Sequence, residues 1–361
     1  MDETSRVNSE SGRVREDAIH IAGRGALARR VAARVRFLSV LPGIFALAIA
    51  ATGSPPVVAQ GFTPTRPIEF VVHTGPGGGN DLLARAISSI VEKEKLLPVR
   101  MQVTNKPGGG GIKAMAYMNE KKGEDHTIAL FANTWFNGPL MSKEARVTMN
   151  ELTPIVRLVT EPGVVVVKSD SPYQTLKDFI EDAKKRPGEL KQSGGSIGSR
   201  DNIVRNLLML NTGAKWAFIS FPGGGERLAA LLGGHVQVMF MDPQEAGDRL
   251  RDGSLRLIAQ VAEKRIAAFP DLPTIQEFGY NIPNYVTLRG VVGPPEMPAE
   301  ALKFWESFFM KLRNSPGWKK HLKDNLFEDG FMSTAEVQKF AKEHPASVRD
   351  MLKAAGIKTY R

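Results

Sequence analysis

Four times along the chain a short apolar run gives way to a glycine-rich turn and then to a helical pattern. The turns are Thr74-Gly75-Pro76-Gly77-Gly78-Gly79-Asn80-Asp81, Gly108 to Gly111, Gly194-Gly195-Ser196-Ile197-Gly198-Ser199, and Pro222-Gly223-Gly224-Gly225. A strand leading through a tight turn into a helix is the unit of a parallel sheet covered by helices, so the recurrence points to an α/β architecture. In such a sheet the turns gather at the carboxyl ends of the strands, where open α/β folds bind ligands. Glycine accepts positive φ and carries no Cβ, so an anion can approach the backbone N–H groups closely. The helix that follows adds unsatisfied donors and about half a positive charge. Any one loop reads equally well as a plain turn, with Asn80 or Asp81 capping a helix. Four together bring several carboxylate-sized anion sites to one crevice. A nucleotide site fits less well, because Asn80 breaks the third glycine of the dinucleotide fingerprint and no loop ends in Gly-Lys-Ser/Thr.

Apolar periodicity extends this pattern along the chain. It predicts strands at 68–73, 100–104, 127–131, 164–167, 216–220, 236–241, 255–261 and 286–292. Helices are expected at 81–94, 112–119, 176–185, 202–210, 226–232, 245–252, 299–313, 317–324 and 334–355. Leu82, Ala86, Ile90 and Val91 are expected to form the inner face of the first helix, and the unbroken run Val164 to Val167 reads as a strand buried on both faces. Trp305 and Phe309 read as core on an amphipathic helix. Length allows two domains. The turn Glu161-Pro162-Gly163 and the loop at Pro283-Asn284 are the expected boundaries, which puts residues 60–163 with 287–361 in one discontinuous lobe and 164–286 in the other. Two strands would cross between mainly parallel sheets.

The first sixty residues differ from the rest. A basic stretch with Arg29, Arg30, Arg34 and Arg36 precedes an apolar run from Phe37 to Ala51, and Val57-Val58-Ala59 offers small side chains for signal peptidase. Residues 1–59 are therefore expected to be a signal peptide, with the mature chain starting at Gln60. The apolar run is short for a membrane anchor.

The 361 residues contain no cysteine, which excludes a lipid-modified N-terminal Cys, disulfides, thiolate metal sites and a Cys nucleophile. Of the net charge of +10, three positive charges belong to the first 59 residues and seven to the remainder. The excess is spread without a basic block interleaved with aromatics, so nucleic acid is not expected as a partner. A mild positive field suits an anionic ligand.

No nucleophile paired with a base, no H-E-x-x-H and no carboxylate cluster with ligand spacing is visible, so neither catalysis nor a metal nor a cofactor is expected. His73 beside the first loop reads as a structural histidine within reach of a ligand, and no function is expected at His235. Asp81 and Asp242 read as strand-end or cap carboxylates, with a role for either opposite a ligand ammonium. Arg289 is positioned for a ligand carboxylate or, more commonly, for an ion pair at the surface or between lobes. Trp135, Phe136 and Phe221 adjoin the loops and hint at an aromatic or bulky acid.

Along these loops the chain resembles the Bug-type extracytoplasmic solute receptors, the binding components of tripartite tricarboxylate transporters. The matching residues run in order: Pro64-Thr65-Arg66-Pro67-Ile68, Pro76 to Arg85, Asn105-Lys106-Pro107 with Gly108 to Gly111, Gly195 to Ser199, Phe221 to Gly225 leading to Leu232-Gly233-Gly234-His235-Val236, and Pro270 to Ile275. The resemblance implies a type II periplasmic-binding fold, a cleft between lobes, and a carboxylate held largely by main-chain amides and water. It implies cleft residues at Gly77, Gly78, Gly79, Asn80, Asp81, Asn133, Thr134, Ser196, Ser199, Gly223 and Gly224, to which the residue chemistry adds Phe221 and Asp242. It also implies a periplasmic, non-enzymatic protein, expected as a monomer, that hands a small organic acid to membrane transporter subunits. A ligand-presenting sensor component and a hydrolase are the alternatives. The chain departs from the family pattern at His73-Thr74-Gly75, at Phe221 in place of a common tyrosine, and at Asn202 near a common histidine, positions that bear on ligand identity.

Overall fold

The computed structural model describes residues 61–283 and 285–361, so the expected signal peptide, its cleavage point and Asn284 lie outside the described residues. The described chain forms two mixed sheets flanked by helices. In chain order the elements begin β1 (Ile68–Val72), α1 (Gly79–Lys93), β2 (Met101–Asn105), α2 (Ile112–Glu120), β3 (Thr127–Ala132), α3 (Thr134–Met141) and β4 (Thr153–Glu161). They continue through β5 (Gly163–Lys168), α4 (Leu176–Lys185), β6 (Lys191–Gly194), α5 (Arg200–Thr212), β7 (Ala217–Ser220), α6 (Gly224–Leu232), β8 (Val238–Met241), α7 (Pro243–Arg251) and β9 (Leu255–Val261). The last are β10 (Thr287–Gly293), α8 (Ala299–Asn314), α9 (Pro316–Asp324), β11 (Glu328–Met332) and α10 (Thr334–Ala354).

One sheet has the order β11-β4-β10-β3-β1-β2 and the other β7-β6-β8-β5-β9. The expectation of mainly parallel sheets is corrected. Strands β4, β5, β9, β10 and β11 pair antiparallel with their neighbours, and only β1-β2, β1-β3, β6-β7 and β6-β8 are parallel. The cause is the route of the chain: it passes from β4 to β5 across Pro162 and returns from β9 to β10, and the passing strands run against the βα units. Because β10 is antiparallel to β3, with Arg289 opposite Ala132, its amino end reaches the same sheet edge as the carboxyl end of β3.

Val164 to Val167 are fully buried, as their unbroken apolar run required. Trp305 and Phe309 are likewise core. The buried face of α1 is Leu83, Ala84, Ile87 and Val91, turned by about one residue from the expected stripe. Periodicity missed β4, β6, β11 and α3. The strand β6 reads Lys-Gln-Ser-Gly, and it is held by parallel partners on both sides, with the Gln192 and Ser193 side chains satisfied inside the protein. Among the described residues no helix is long and apolar enough to cross a membrane.

Candidate functional site

The carboxyl ends of β1, β2, β3, β6 and β7 and the amino end of β10 open onto one cavity of about 290 Å³, walled by loops from both sheets. Ten of the thirteen residues expected at a cleft lie on its wall: Gly78, Gly79, Asn133, Thr134, Ser196, Ser199, Phe221, Gly223, Gly224 and Asp242. Gly77, Asn80 and Asp81 do not, because each is spent on holding the first loop. Asp81 accepts the Gly77 amide at 3.0 Å and the Asn105 amide nitrogen at 2.9 Å and pairs with Arg85. Asn80 donates to the Leu130 carbonyl at 3.1 Å and accepts from Arg289. Asn133 clamps β10, accepting from the Leu288 amide at 2.8 Å and donating to the Val286 carbonyl at 3.0 Å.

The first and fourth glycine loops touch across the cavity. The Gly75 amide donates to the Pro222 carbonyl at 2.9 Å, and a Cβ on Gly224 would stand 2.3 Å from the Gly77 carbonyl oxygen. Glycine is needed at 224 for this close approach. Gly77 has φ +74°, whereas Gly78 has φ −77° and is glycine because a Cβ there would meet the Thr74 Cβ at 2.8 Å. The amides of Gly77, Gly78 and Gly79 are already engaged, by Asp81, by the Gly75 carbonyl and by Glu245.

His73, on the cavity wall, is almost fully buried and bonded at both ring nitrogens. The Trp135 indole donates to Nδ1 at 2.9 Å. An indole can only donate, so Nδ1 is an acceptor, and the proton of the neutral ring sits on Nε2, which donates to the Thr134 hydroxyl at 3.1 Å. Burial, and then the field of Arg289, push the His73 pKa down to about 4 despite a bond involving Leu130. The ring is therefore neutral at physiological pH. Trp135 and Phe136, expected beside a ligand, are buried in the packing between α3, α2 and α10 and do not line the cavity; Phe221 does.

Behind the cavity lies a network of buried charge. Arg289 donates to Glu161 at 2.7 and 2.9 Å and pairs with Asp242, joining β10 and β4 of one sheet to the end of β8 in the other. Thr287 adds a bond to Asp242 at 3.2 Å. Arg227 holds Asp201 at 2.9 Å and pairs with Glu245. Arg200 lies 2.9 Å from Asp242. Burial pushes the Glu161 carboxyl up to about 8, with Asp242 adding to the push and Arg289 opposing it. Burial also pushes on Asp242, but Arg200, Arg289 and Arg227 outweigh it and hold this carboxyl below its ordinary value. An ion pair between lobes was one of the readings open for Arg289 in the sequence; Glu161, Arg200, Asp201, Arg227 and Glu245 were not anticipated. A signal existed. Arg200 and Arg227 sit in the first turns of α5 and α6, where a cation runs against the helix dipole and needs an anionic partner nearby.

Among the described residues no cluster of His, Asp and Glu suited to a metal is present. A donor set this rich in arginine and hydroxyl can hold an anion.

The chain is similar to known proteins over most of its length. A protein of Cupriavidus necator, the UPF0065 protein in the gbd 5' region, is 29% identical over 317 residues, covering 86% of this chain and 95% of its own. The protein BugT of Bordetella pertussis is 29% identical over 248 residues, 68% of this chain and 74% of its own. In structure the chain is similar to the R. palustris protein Rpa4515, solved with adipate, with a TM-score of 0.77 at 23% identity over 82% of this chain and 99% of that one. It is also similar to the periplasmic binding protein BugD, with a TM-score of 0.76 at 22% identity and the same coverage. Residues 83–357 match the profile of the tripartite tricarboxylate transporter family receptors, and the chain belongs to that family.

Proposed function

We propose that the protein captures a small organic acid in the cavity between its two sheets and delivers it, outside the cytoplasmic membrane, to the membrane subunits of a tripartite tricarboxylate transporter. The observation that carries this reading is the cavity wall. It brings the hydroxyls of Thr74, Ser196 and Ser199, all buried and without a partner among the described residues, to the amino ends of helices from both sheets. Unsatisfied hydroxyls beside helix amino ends suit a carboxylate. Family membership supports the transporter as recipient, and the adipate carried by the similar Rpa4515 agrees with an acid ligand. In this reading the lobes are residues 60–163 with 287–361 and residues 164–286, the protein acts as a monomer in the periplasm, and it does no chemistry: His73 is neutral and committed at both nitrogens.

Thermal unfolding against a panel of short mono- and dicarboxylic acids tests the proposal, with a rise in Tm expected for at least one acid. A flat response to every acid, together with turnover of an ester, would replace it by the hydrolase reading. Uptake of the stabilising acid should fall in a strain lacking the protein; undiminished uptake would assign it to ligand sensing instead.

A further inference from the structure

Three arginines face the cavity, and two are fully employed. Arg227 is shared by Asp201 and Glu245, and Arg289 by Glu161, Asp242 and Asn80. Arg200 is different. Its side chain is 4% exposed, yet among the described residues it makes no hydrogen bond: Nη1 lies 2.9 Å from Asp242 without directing an N–H at it, and both Nη1 and Nε are unsatisfied. A buried guanidinium with undirected donors is costly, and its planar fork matches a carboxylate with two parallel bonds. The adjoining hydroxyls of Ser196 and Ser199, on the same loop, are also buried and unpartnered. The rival seat at the first loop is filled by the protein itself, since Glu245 accepts the Gly79 amide at 2.8 Å.

The charges on the wall set the number of carboxylates. The three arginines there are balanced by Asp201, Asp242 and Glu245, and no lysine lines the cavity among the described residues. One carboxylate finds the free donors of Arg200; a second finds no further cation and three carboxylates nearby, and like charges brought together in a dry site repel strongly.

We propose, on the reading that this cleft takes an organic acid, that Arg200 with Ser196 and Ser199 seats the ligand carboxylate, and that the cleft prefers an acid with one carboxylate to one with two. Gly163 gives the assignment a second handle. The guanidinium lies over this glycine, and a Cβ there would stand 2.8 Å from Arg200 Cζ, so Gly163→Ala moves the far end of a flexible side chain while keeping its charge.

Calorimetry with hexanoate and adipate, equal in chain length, tests the proposal on the wild type, Arg200→Gln and Gly163→Ala, with circular dichroism to verify folding. Hexanoate is expected to bind the wild type at least about tenfold more tightly than adipate at neutral pH. Arg200→Gln is expected to lose roughly ten- to a hundredfold in affinity for hexanoate, the loss typical of a charge-assisted hydrogen bond, and Gly163→Ala part of that. Folded Arg200→Gln binding hexanoate as the wild type does would overturn the seat. Should that variant not fold, wild-type affinity in Gly163→Ala would overturn it instead. Adipate binding as tightly as hexanoate would overturn the preference for one carboxylate. If the wild type binds no acid of the wider panel, the organic-acid reading of the cleft fails as a whole, whereas binding that ignores Arg200 removes only the present assignment.

Discussion

The carboxylate of Glu245, in the first turn of α7, accepts the backbone amide of Gly79 at 2.8 Å, at the amino end of α1 and across the cavity. One lobe thus supplies the anion for the helix terminus of the other, and Arg227 pairs with the same carboxylate from α6. Burial pushes the Glu245 carboxyl up, against the pull of Arg227. Removing it strips a buried arginine of one partner and leaves an amide unsatisfied. We expect Glu245→Ala to lower the free energy of unfolding by about 3 kcal/mol in urea titrations, and to raise the radius of gyration by loosening the contact between lobes. Glu245→Gln, which keeps an acceptor, should lose less. Wild-type stability in the alanine variant would show that the contact contributes nothing.

The place of Arg289 between Glu161 and Asp242 makes it part of the folded core. Arg289→Gln leaves Asp242 with less compensation and Glu161 without its donor, and should cost about 3–5 kcal/mol of stability. Above its pKa of about 8 the Glu161 carboxylate is charged, and there Glu161→Gln in the same chain should recover part of the loss, since glutamine needs no cation beside it. The double-mutant cycle measures the coupling. Additive losses would show that the two side chains do not act together.

The same carboxyl predicts a pH dependence. Glu161 has an ordinary pKa of 4.5 and a folded value of about 8, so between these limits the folded state holds a proton that the unfolded state has lost. Its contribution therefore falls as pH rises from 4.5 to 8. The Tm of Glu161→Gln should decline less over that window than the wild type's. Parallel curves would contradict the assignment.

His73 acts with the opposite sign. The unfolded histidine gains its proton near 6.5 and the folded one only near 4, so stability is lost as pH falls through that interval. His73→Phe removes this loss, but it leaves the Trp135 indole N–H without an acceptor and should cost about 1–3 kcal/mol at pH 7.5. Unfolding curves at pH 7.5 and 5 separate the two effects: the deficit of the variant should shrink at the lower pH.

Two adjacent glycines offer a steric test. A Cβ on Gly224 would meet the Gly77 carbonyl oxygen at 2.3 Å, whereas one on Gly225 meets nothing nearer than 4.0 Å. Gly224→Ala should therefore push the first and fourth loops apart and weaken binding of any acid that stabilises the wild type, by about tenfold or more. Gly225→Ala should leave both stability and affinity within about 0.5 kcal/mol of the wild type. Equal behaviour of the two variants would mean that the loops do not need their close contact.

The α/β class, most elements, the crossing near Pro162 and the presence of a cavity at the glycine loops were legible in the sequence. All of these follow from local patterns: apolar runs four to seven residues long, glycines at turns, and helical spacing between them. The sequence left unread the mixed direction of the sheets and the strand β6, because both depend on which distant strands flank a segment. It also placed the aromatics Trp135 and Phe136 beside the ligand, where the packing of α3 against α2 and α10 turns them inward. Above all, the charged lattice behind the cavity was decided by tertiary structure. Glu161, Arg200, Arg227, Asp242, Glu245 and Arg289 are spread over some 130 residues, and only Asp242 and Arg289 stood out in the sequence. The fold removes all six from water in one place, and only that meeting distinguishes the arginines that donate hydrogen bonds to their carboxylates from Arg200, which lies beside Asp242 with Nε and Nη1 unsatisfied among the described residues.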